Sequence, residues 1–441
     1  MAVKNYQILQ RDGNNVAVGE FCGIIPDYIE EGKLIYARVL SENENLVVVP
    51  WTPCEINGKE WSVKLTIPTG GLYFFEAIPA NSENFLFECN RLNRIASVKH
   101  FGVGDLYILA GQSNMAGMGK DAAIDPPTLG VHLYANSGNW DIATHPLNDS
   151  LGTIYPENAE NCTGTSPALS FARILKERLN VPIGLIQSAL GGSPLERWHR
   201  GEKGDLYNAL LKRLKDIGTP AVKGMLWYQG CNDTANPERY YERFMEFISY
   251  CREDIGDIYF LTVQLNAWAN MENAGDDRHW ALIREAQRQV ARNDDKIFIV
   301  SSLDLPMCDG IHNSSGANVI LGTRLAHTAL KCIYGLPGQE APDLLAAKYI
   351  DETHIKLCFD RQFDMQYFDE RADFMNIEDE SGLINGAKLI YDVDGFVFES
   401  EKPFTLPAKF HAYWQRYCGK WIAKDFSGMP MLACYNVEIE K

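Results

Sequence analysis

The stretch "GDLYILAGQSNMAGMG", residues 104–119, decides how the chain is read. Its first half is apolar and rich in β-favouring residues. The run stops at Gly111, and Gln112-Ser113-Asn114 follows at once, ahead of a helix-like segment. A buried strand that ends in small polar residues before a helix is where open α/β sheets place their chemistry. A serine there serves either as a nucleophile or as a helix N-cap, and the cap is the commoner job. The rest of the chain has to decide between them.

Around this stretch the pattern repeats. "DLYILAG", "PIGLIQS", "KGMLWYQG", "IYFLTVQL" and "KIFIVSS" are near-continuous apolar runs. Amphipathic segments such as "GDLYNALLKRLKDIG" and "DDRHWALIREAQRQVARN" lie between them. Strands alternating with helices predict βαβ crossovers and a parallel sheet covered on both faces. Ser166, Pro167 and Ala168 read as an N-cap followed by proline at the first helical position. Residues 1 to about 102 read differently. "KLIYARVL", "EWSVKLTIP" and "LYFFEAIPA" are short β runs separated by turn signals, the pattern of a small sandwich. After the Pro/Gly-rich link "YGLPGQEAP" at Tyr334–Pro342, "HIKLCF", "FMNIED", "AKLIYD", "GFVFES" and "KFHAYW" predict a second sandwich. The domains expected are thus 1–102, 103–335 and 336–441.

Bulk properties remove several function classes. The 441 residues exceed one ordinary core. A formal net charge of −17 argues against nucleic acid or an anionic membrane as partner. No apolar run is long enough to span a bilayer. The N-terminus lacks the basic and apolar regions of a signal peptide, so a cytoplasmic protein is expected. Eleven scattered cysteines, with no CxxC, read as free thiols. No metal-ligand spacing, Walker loop or dinucleotide fingerprint appears, so neither metal nor cofactor is expected.

Four loops leave the C-terminal ends of the predicted parallel strands with polar content. They carry Gly111-Gln112-Ser113-Asn114; Gly191-Gly192; Gln229, Gly230, Asn232 and Asp233; and Asp309 and His312. In a doubly wound sheet these ends converge on one crevice. The residue types suit acyl transfer. A serine hydroxyl needs a base, and imidazole titrates near neutrality. Asp309, three residues before His312, is spaced to accept from its Nδ1–H and fix the tautomer. The Ser113 N–H, the N–H of Gly191 or Gly192, and the side-chain amide of Asn232 or Gln229 are candidate oxyanion donors. Each element also has an ordinary structural use as a cap or a turn; their convergence on one sheet edge favours chemistry. Met115 stands where the second glycine of a G-x-S-x-G elbow belongs, which weighs against an ordinary α/β-hydrolase.

Gly111-Gln112-Ser113-Asn114-Met115, "LIQSALGGSPLERW", "WYQG" ending at Gly230, "LIREAQ" at Leu282–Gln287 and Asp309-Gly-Ile-His312 resemble the SGNH (GDSL-like) hydrolase superfamily. Within it they are most similar to the sialate O-acetylesterase / carbohydrate esterase family. The resemblance implies a central flavodoxin-like parallel sheet with flanking β domains. It implies a serine esterase of sialate O-acetylesterase type that removes acetyl groups from sugar hydroxyls through an acetyl-serine. Ser113 would be nucleophile, His312 base and Asp309 its orienter. The Ser113 N–H, Gly192 and Asn232 or Gln229 would form the oxyanion hole. One position departs from the pattern: Cys231 stands where the family usually carries an acidic residue. Gln112, Trp198 and Tyr228 are candidates to contact the sugar, the two aromatics being equally readable as core. Arg197, Arg200 and Arg284 are candidates for a sialate carboxylate. The partner expected is a small or oligomeric acetylated sugar, with a homo-oligomer open. Acetylxylan, a general acyl ester, and a non-catalytic sugar-binding protein with a decayed site stand as alternatives.

Overall fold

The structure is a computed structural model that describes all residues except 1, 45, 81–93, 161–163, 220, 270–276, 368, 393 and 420. Its centre is a sheet of strands β1 (Ala96–Gly111), β2 (Val131–Tyr134), β3 (Trp140–Ile142), β4 (Ile183–Gln187), β5 (Gly224–Tyr228), β6 (Tyr259–Val263) and β7 (Ile297–Val300). The order across the sheet is β3-β2-β4-β1-β5-β6-β7. All pairs are parallel except β2 with β3. The five expected strands, taken alone, therefore lie in the order 2-1-3-4-5 of flavodoxin-like sheets. β4, β5 and the end of β1 are buried throughout, as runs covered on both faces must be. The hairpin β2–β3 was not expected from the sequence. "VHLY" is four residues with a histidine inside it, too short to stand out as a strand.

Helices α1 (Ser113–Ala116), α2 (Ala168–Leu179), α3 (Asp205–Ile217), α4 (Tyr240–Ile255), α5 (Asp277–Arg292) and α6 (Ser315–Cys332) follow the strands. The cap expected at the start of α2 differs. Pro167 takes the cap position, while Ser166 Oγ donates to Met115 O at 2.8 Å and so ties α2 to the Ser113 turn. α6 is capped by Ser314, whose Oγ accepts from Ala317 N–H at 3.1 Å, leaving Asp309 free of that job.

The N-terminal region does not form a separate sandwich. Strands Val16–Ile24, Glu60–Pro68 and Glu55–Asn57 make a three-stranded sheet. It packs onto Leu34–Ser41 and Gly70–Ala80, with the Phe21 and Phe75 rings stacked at 3.9 Å. Gly70–Ala80 then pairs with the first half of β1, so the second layer is continuous with the central sheet. β1 is 16 residues long and serves both units, which sequence periodicity has no means to show.

The C-terminal region is a closed seven-stranded barrel rather than a sandwich. Its strands are, in spatial order, Leu344–Tyr349, His354–Phe359, Gly395–Ser400, Gly382–Asp392, Met375–Asp379, Lys409–Ala412 and Cys434–Glu440. Gly382–Asp392 pairs with neighbours on both sides, and Ala347 pairs in parallel with Ile439 to close the ring. Inward alternation along a strand is the same in a barrel and a sandwich, so only the closing pair distinguishes them.

Candidate active site

The site is built at the C-terminal edge of the sheet, around the end of β1. Gly111 has φ of +123°, and a Cβ there would lie 2.3 Å from Tyr228 O, so the strand can leave the sheet at that point only as glycine. Gln112 is then fixed from three sides. Its N–H donates to Tyr228 O, its Oε1 accepts from Gly230 N–H at 3.0 Å, and its Nε2 donates to Asn232 Oδ1 at 3.2 Å. Ser113 opens the short helix α1, which leaves its N–H without an intrahelical acceptor.

His312 Nε2 lies 2.9 Å from Ser113 Oγ, and His312 Nδ1 lies 2.7 Å from Asp309 Oδ2. Asp309 Oδ1 also accepts the backbone N–H groups of Ile311 and His312, at 2.9 and 2.7 Å. Partial burial pushes the Asp309 carboxyl up. The His312 side chain and these two N–H groups together outweigh it and hold the carboxyl below its ordinary value. A carboxylate on Nδ1–H leaves the Nε2 lone pair to accept the Ser113 hydroxyl proton.

The other two loops close on the same place. Leu190 N–H and Ser193 Oγ both donate to Gly111 O, at 3.1 and 3.2 Å. Gly191 N–H is committed to Glu160 Oε2 at 2.8 Å. Gly192 has φ of +63° and open space beside it, and its N–H meets no acceptor among the described residues. Asn232 is exposed, and because its Oδ1 accepts from Gln112, its Nδ2 is left to donate outward. Gln229 is not available as the alternative. Its Nε2 donates to Asp233 Oδ2 and Ser193 O, and its Oε1 accepts from Tyr240 OH. Asp233 Oδ2 also accepts Leu195 N–H at 2.9 Å, so Gln229 and Asp233 latch the second loop to the third.

Several expected sugar contacts belong to the interior instead. Trp198 is fully buried, edge-on to Trp227, with Nε1 donating to Ser193 Oγ. Tyr228 is buried with its hydroxyl 3.3 Å from Ser302 Oγ. Arg197 is spent on Asp205, at 2.7 Å, and on Glu157 O. Arg200 pairs with Glu253 and Asp254 across the Tyr250 ring. Arg284 is buried, and it donates to five backbone carbonyls: Leu265, Asn266, Tyr413, Trp414 and Gln415. Burial pulls its guanidinium down to about 10. Cys231 is buried nearby; burial pushes its thiol up to about 12, so the position that carries an acid in the resembling pattern is uncharged here.

Two site residues, Asn266 and Glu160, lie outside the loops singled out in the sequence, and Asn114, which lies in one of them, takes a part not assigned to it. Asn114 Oδ1 accepts Asn313 N–H at 2.9 Å. Asn266, after β6, donates to Ile311 O at 2.8 Å and to Asn313 Oδ1 at 2.9 Å. Both grip the loop that carries His312. Glu160 holds Gly191. Asn266 follows a parallel strand end, so the rule that flagged the other loops applies to it as well. Glu160 belongs to no such loop.

Residues 103–331 match the model of the family described as carbohydrate esterase, sialic acid-specific acetylesterase. The chain belongs to this carbohydrate esterase family. A relative from Arabidopsis thaliana, described as a probable carbohydrate esterase, is 28% identical over 249 residues, which are 51% of this chain and 90% of the relative. A solved structure of a carbohydrate acetylesterase from Xanthomonas citri superposes with a TM-score of 0.68 at 20% identity, covering 98% of this chain and 97% of that one. The likeness of fold thus extends over both flanking β regions as well as the central sheet.

Proposed function

We propose that the protein is a serine O-acetylesterase acting on acetylated sugar hydroxyls, with Ser113 as nucleophile, His312 as general base and acid, and Asp309 as its orienter. The observation that carries this reading is the continuous relay from Asp309 Oδ2 through His312 to Ser113 Oγ, at 2.7 and 2.9 Å. Ser113 Oγ attacks the acetyl carbonyl as His312 Nε2 takes the hydroxyl proton. The oxyanion receives hydrogen bonds from the Ser113 and Gly192 N–H groups and from Asn232 Nδ2. Collapse expels the sugar oxygen, which takes the proton back from His312, and leaves acetyl-Ser113. Water then attacks the acetyl carbon as His312 takes its proton; the Oγ–acyl bond breaks, acetate leaves, and His312 returns the proton to Ser113 Oγ.

The sugar favoured is a neutral one. Of the three arginines considered for a sialate carboxylate, Arg284 is buried on backbone carbonyls, Arg197 is paired with Asp205, and Arg200 is paired at the surface with Glu253 and Asp254. Release of acetate from acetylated xylo-oligosaccharide, 9-O-acetyl sialic acid and an aryl acetate tests this. Faster turnover of the neutral saccharide is expected. Preference for the sialate would overturn the choice of sugar, and inactivity on every ester would overturn the esterase reading.

A further inference from the structure

The Gly191-Gly192 loop depends on a residue from outside the strand-end loops. Glu160 Oε2 accepts both Gly191 N–H, at 2.8 Å, and Asn148 Nδ2, at 3.2 Å. Behind it runs a directed chain of buried groups. Asn148 Oδ1 accepts Asn136 Nδ2 at 2.7 Å, and Asn136 Oδ1 accepts Arg213 Nη2 at 2.8 Å. Asn136, Asn148 and Arg213 are all fully buried, and the Arg213 guanidinium lies 3.8 Å over the Tyr155 ring. Each amide donates forward and accepts from behind, from a cation at one end to a carboxylate at the other. Such a chain fixes the direction of every dipole in it.

The chain ends on the loop at one point. With Leu190 N–H on Gly111 O and Gly191 N–H on Glu160, two successive amides are fixed before the left-handed turn at Gly192. A Cβ on Gly191 would lie 1.9 Å from Glu160 Oε1, so the carboxylate can seat there only against glycine. We infer that Glu160 is a positioning residue for the oxyanion hole: by holding the Gly191 N–H it turns the following amide, Gly192 N–H, toward the reacting carbonyl. This inference rests on the acetylesterase reading above. It assigns the buried Arg213–Asn136–Asn148 chain a task in the reaction, although none of its members touches substrate.

The test is a double-mutant cycle read as kcat and KM on an aryl acetate and on acetylated xylo-oligosaccharide. E160A is expected to lower kcat about 10-fold or more, short of the ~10²–10³ that follows outright loss of a donor, with KM near the wild-type value. E160Q keeps an acceptor oxygen and is expected to recover most of the loss. G191A should behave like E160A, because the new Cβ evicts the carboxylate. The double variant should then be no slower than either single one, whereas independent sites would add. Wild-type kcat in E160A, additive losses, or an E160Q variant faster than wild type would each overturn the inference. The last result would mean that the carboxylate opposes the oxyanion rather than arranging its donors. S113A is run beside them. An active S113A overturns the esterase mechanism itself, whereas an inactive S113A with a wild-type-like E160A overturns only the role of Glu160.

Discussion

Asp309 holds His312 at two points. One carboxylate oxygen accepts the ring Nδ1–H and the other accepts the residue's own backbone N–H, both at 2.7 Å. Ring and main chain are thus fixed by a single side chain three positions earlier. An asparagine in its place would hold the ring by donating to Nδ1, which puts the ring proton on Nε2 and leaves no lone pair for the Ser113 hydroxyl, and D309N is expected to cost on the order of 10⁴ in kcat. A loss below tenfold in steady-state kinetics would remove Asp309 from the mechanism.

The pH dependence follows from the same pair. The Asp309 carboxyl is held below its ordinary value, so it stays ionised into acid. With His312 Nε2 as the base, kcat/KM is expected to fall toward acid. For stability the sign is that of a depressed carboxyl: the contribution is complete above the ordinary carboxylate value of 3.8 and is lost as pH falls below it through the depressed one. A kcat/KM profile that stays flat from neutral into acid pH would contradict the role of His312 as base.

The proposed oxyanion donor, Asn232, and the buried Gln229 are expected to separate in mutagenesis. Asn232→Ala is expected to lower kcat by about 10²–10³ with little change in stability. Asn232→Asp, nearly the same shape, should be at least as slow because it places an acceptor and a charge at the oxyanion. Gln229→Leu should instead lower the melting temperature, since it removes the one buried amide that joins Asp233, Ser193 O and the Tyr240 hydroxyl. Kinetics and melting curves on the three variants would expose a reversed assignment.

Asp304 joins the central domain to the barrel. It receives two hydrogen bonds from Arg324 on α6, both 2.7 Å, and the Lys424 ammonium of the barrel lies at 2.8 Å. Burial pushes its carboxyl up, and the two cations outweigh burial and hold it below the ordinary value. Its contribution to stability is thus complete above the ordinary carboxylate value and lost as pH falls through the depressed one. D304N leaves the cations uncompensated and is expected to cost about 3–5 kcal/mol. Urea unfolding should show the loss at neutral pH and a smaller difference in acid.

The central sheet was legible because strands covered on both faces must be apolar throughout, and "DLYILAG", "PIGLIQS" and "KGMLWYQG" are. The four polar loops were legible because a parallel sheet gathers the ends of its strands. What sequence left open was settled by packing. Gln229 and Asn232 are both amides in one loop, but Tyr240 and Asp233 bury the first, while Gln112 turns the second outward. Trp198 and Tyr228 stand beside polar loops in sequence and beneath them in space. Arg284 has no motif that reveals its partners, because five backbone carbonyls from two domains meet only after folding. Glu160 is similarly silent; its meaning depends on a glycine 31 residues away.

If Ser113 is the nucleophile, acetate release depends on its hydroxyl. Acetate release by wild type and S113A, compared on one acetylated xylo-oligosaccharide, tests it most directly. The wild type is expected to be active and the variant reduced by about 10⁴ or more. A variant that releases acetate at the wild-type rate would show that Ser113 is not the nucleophile.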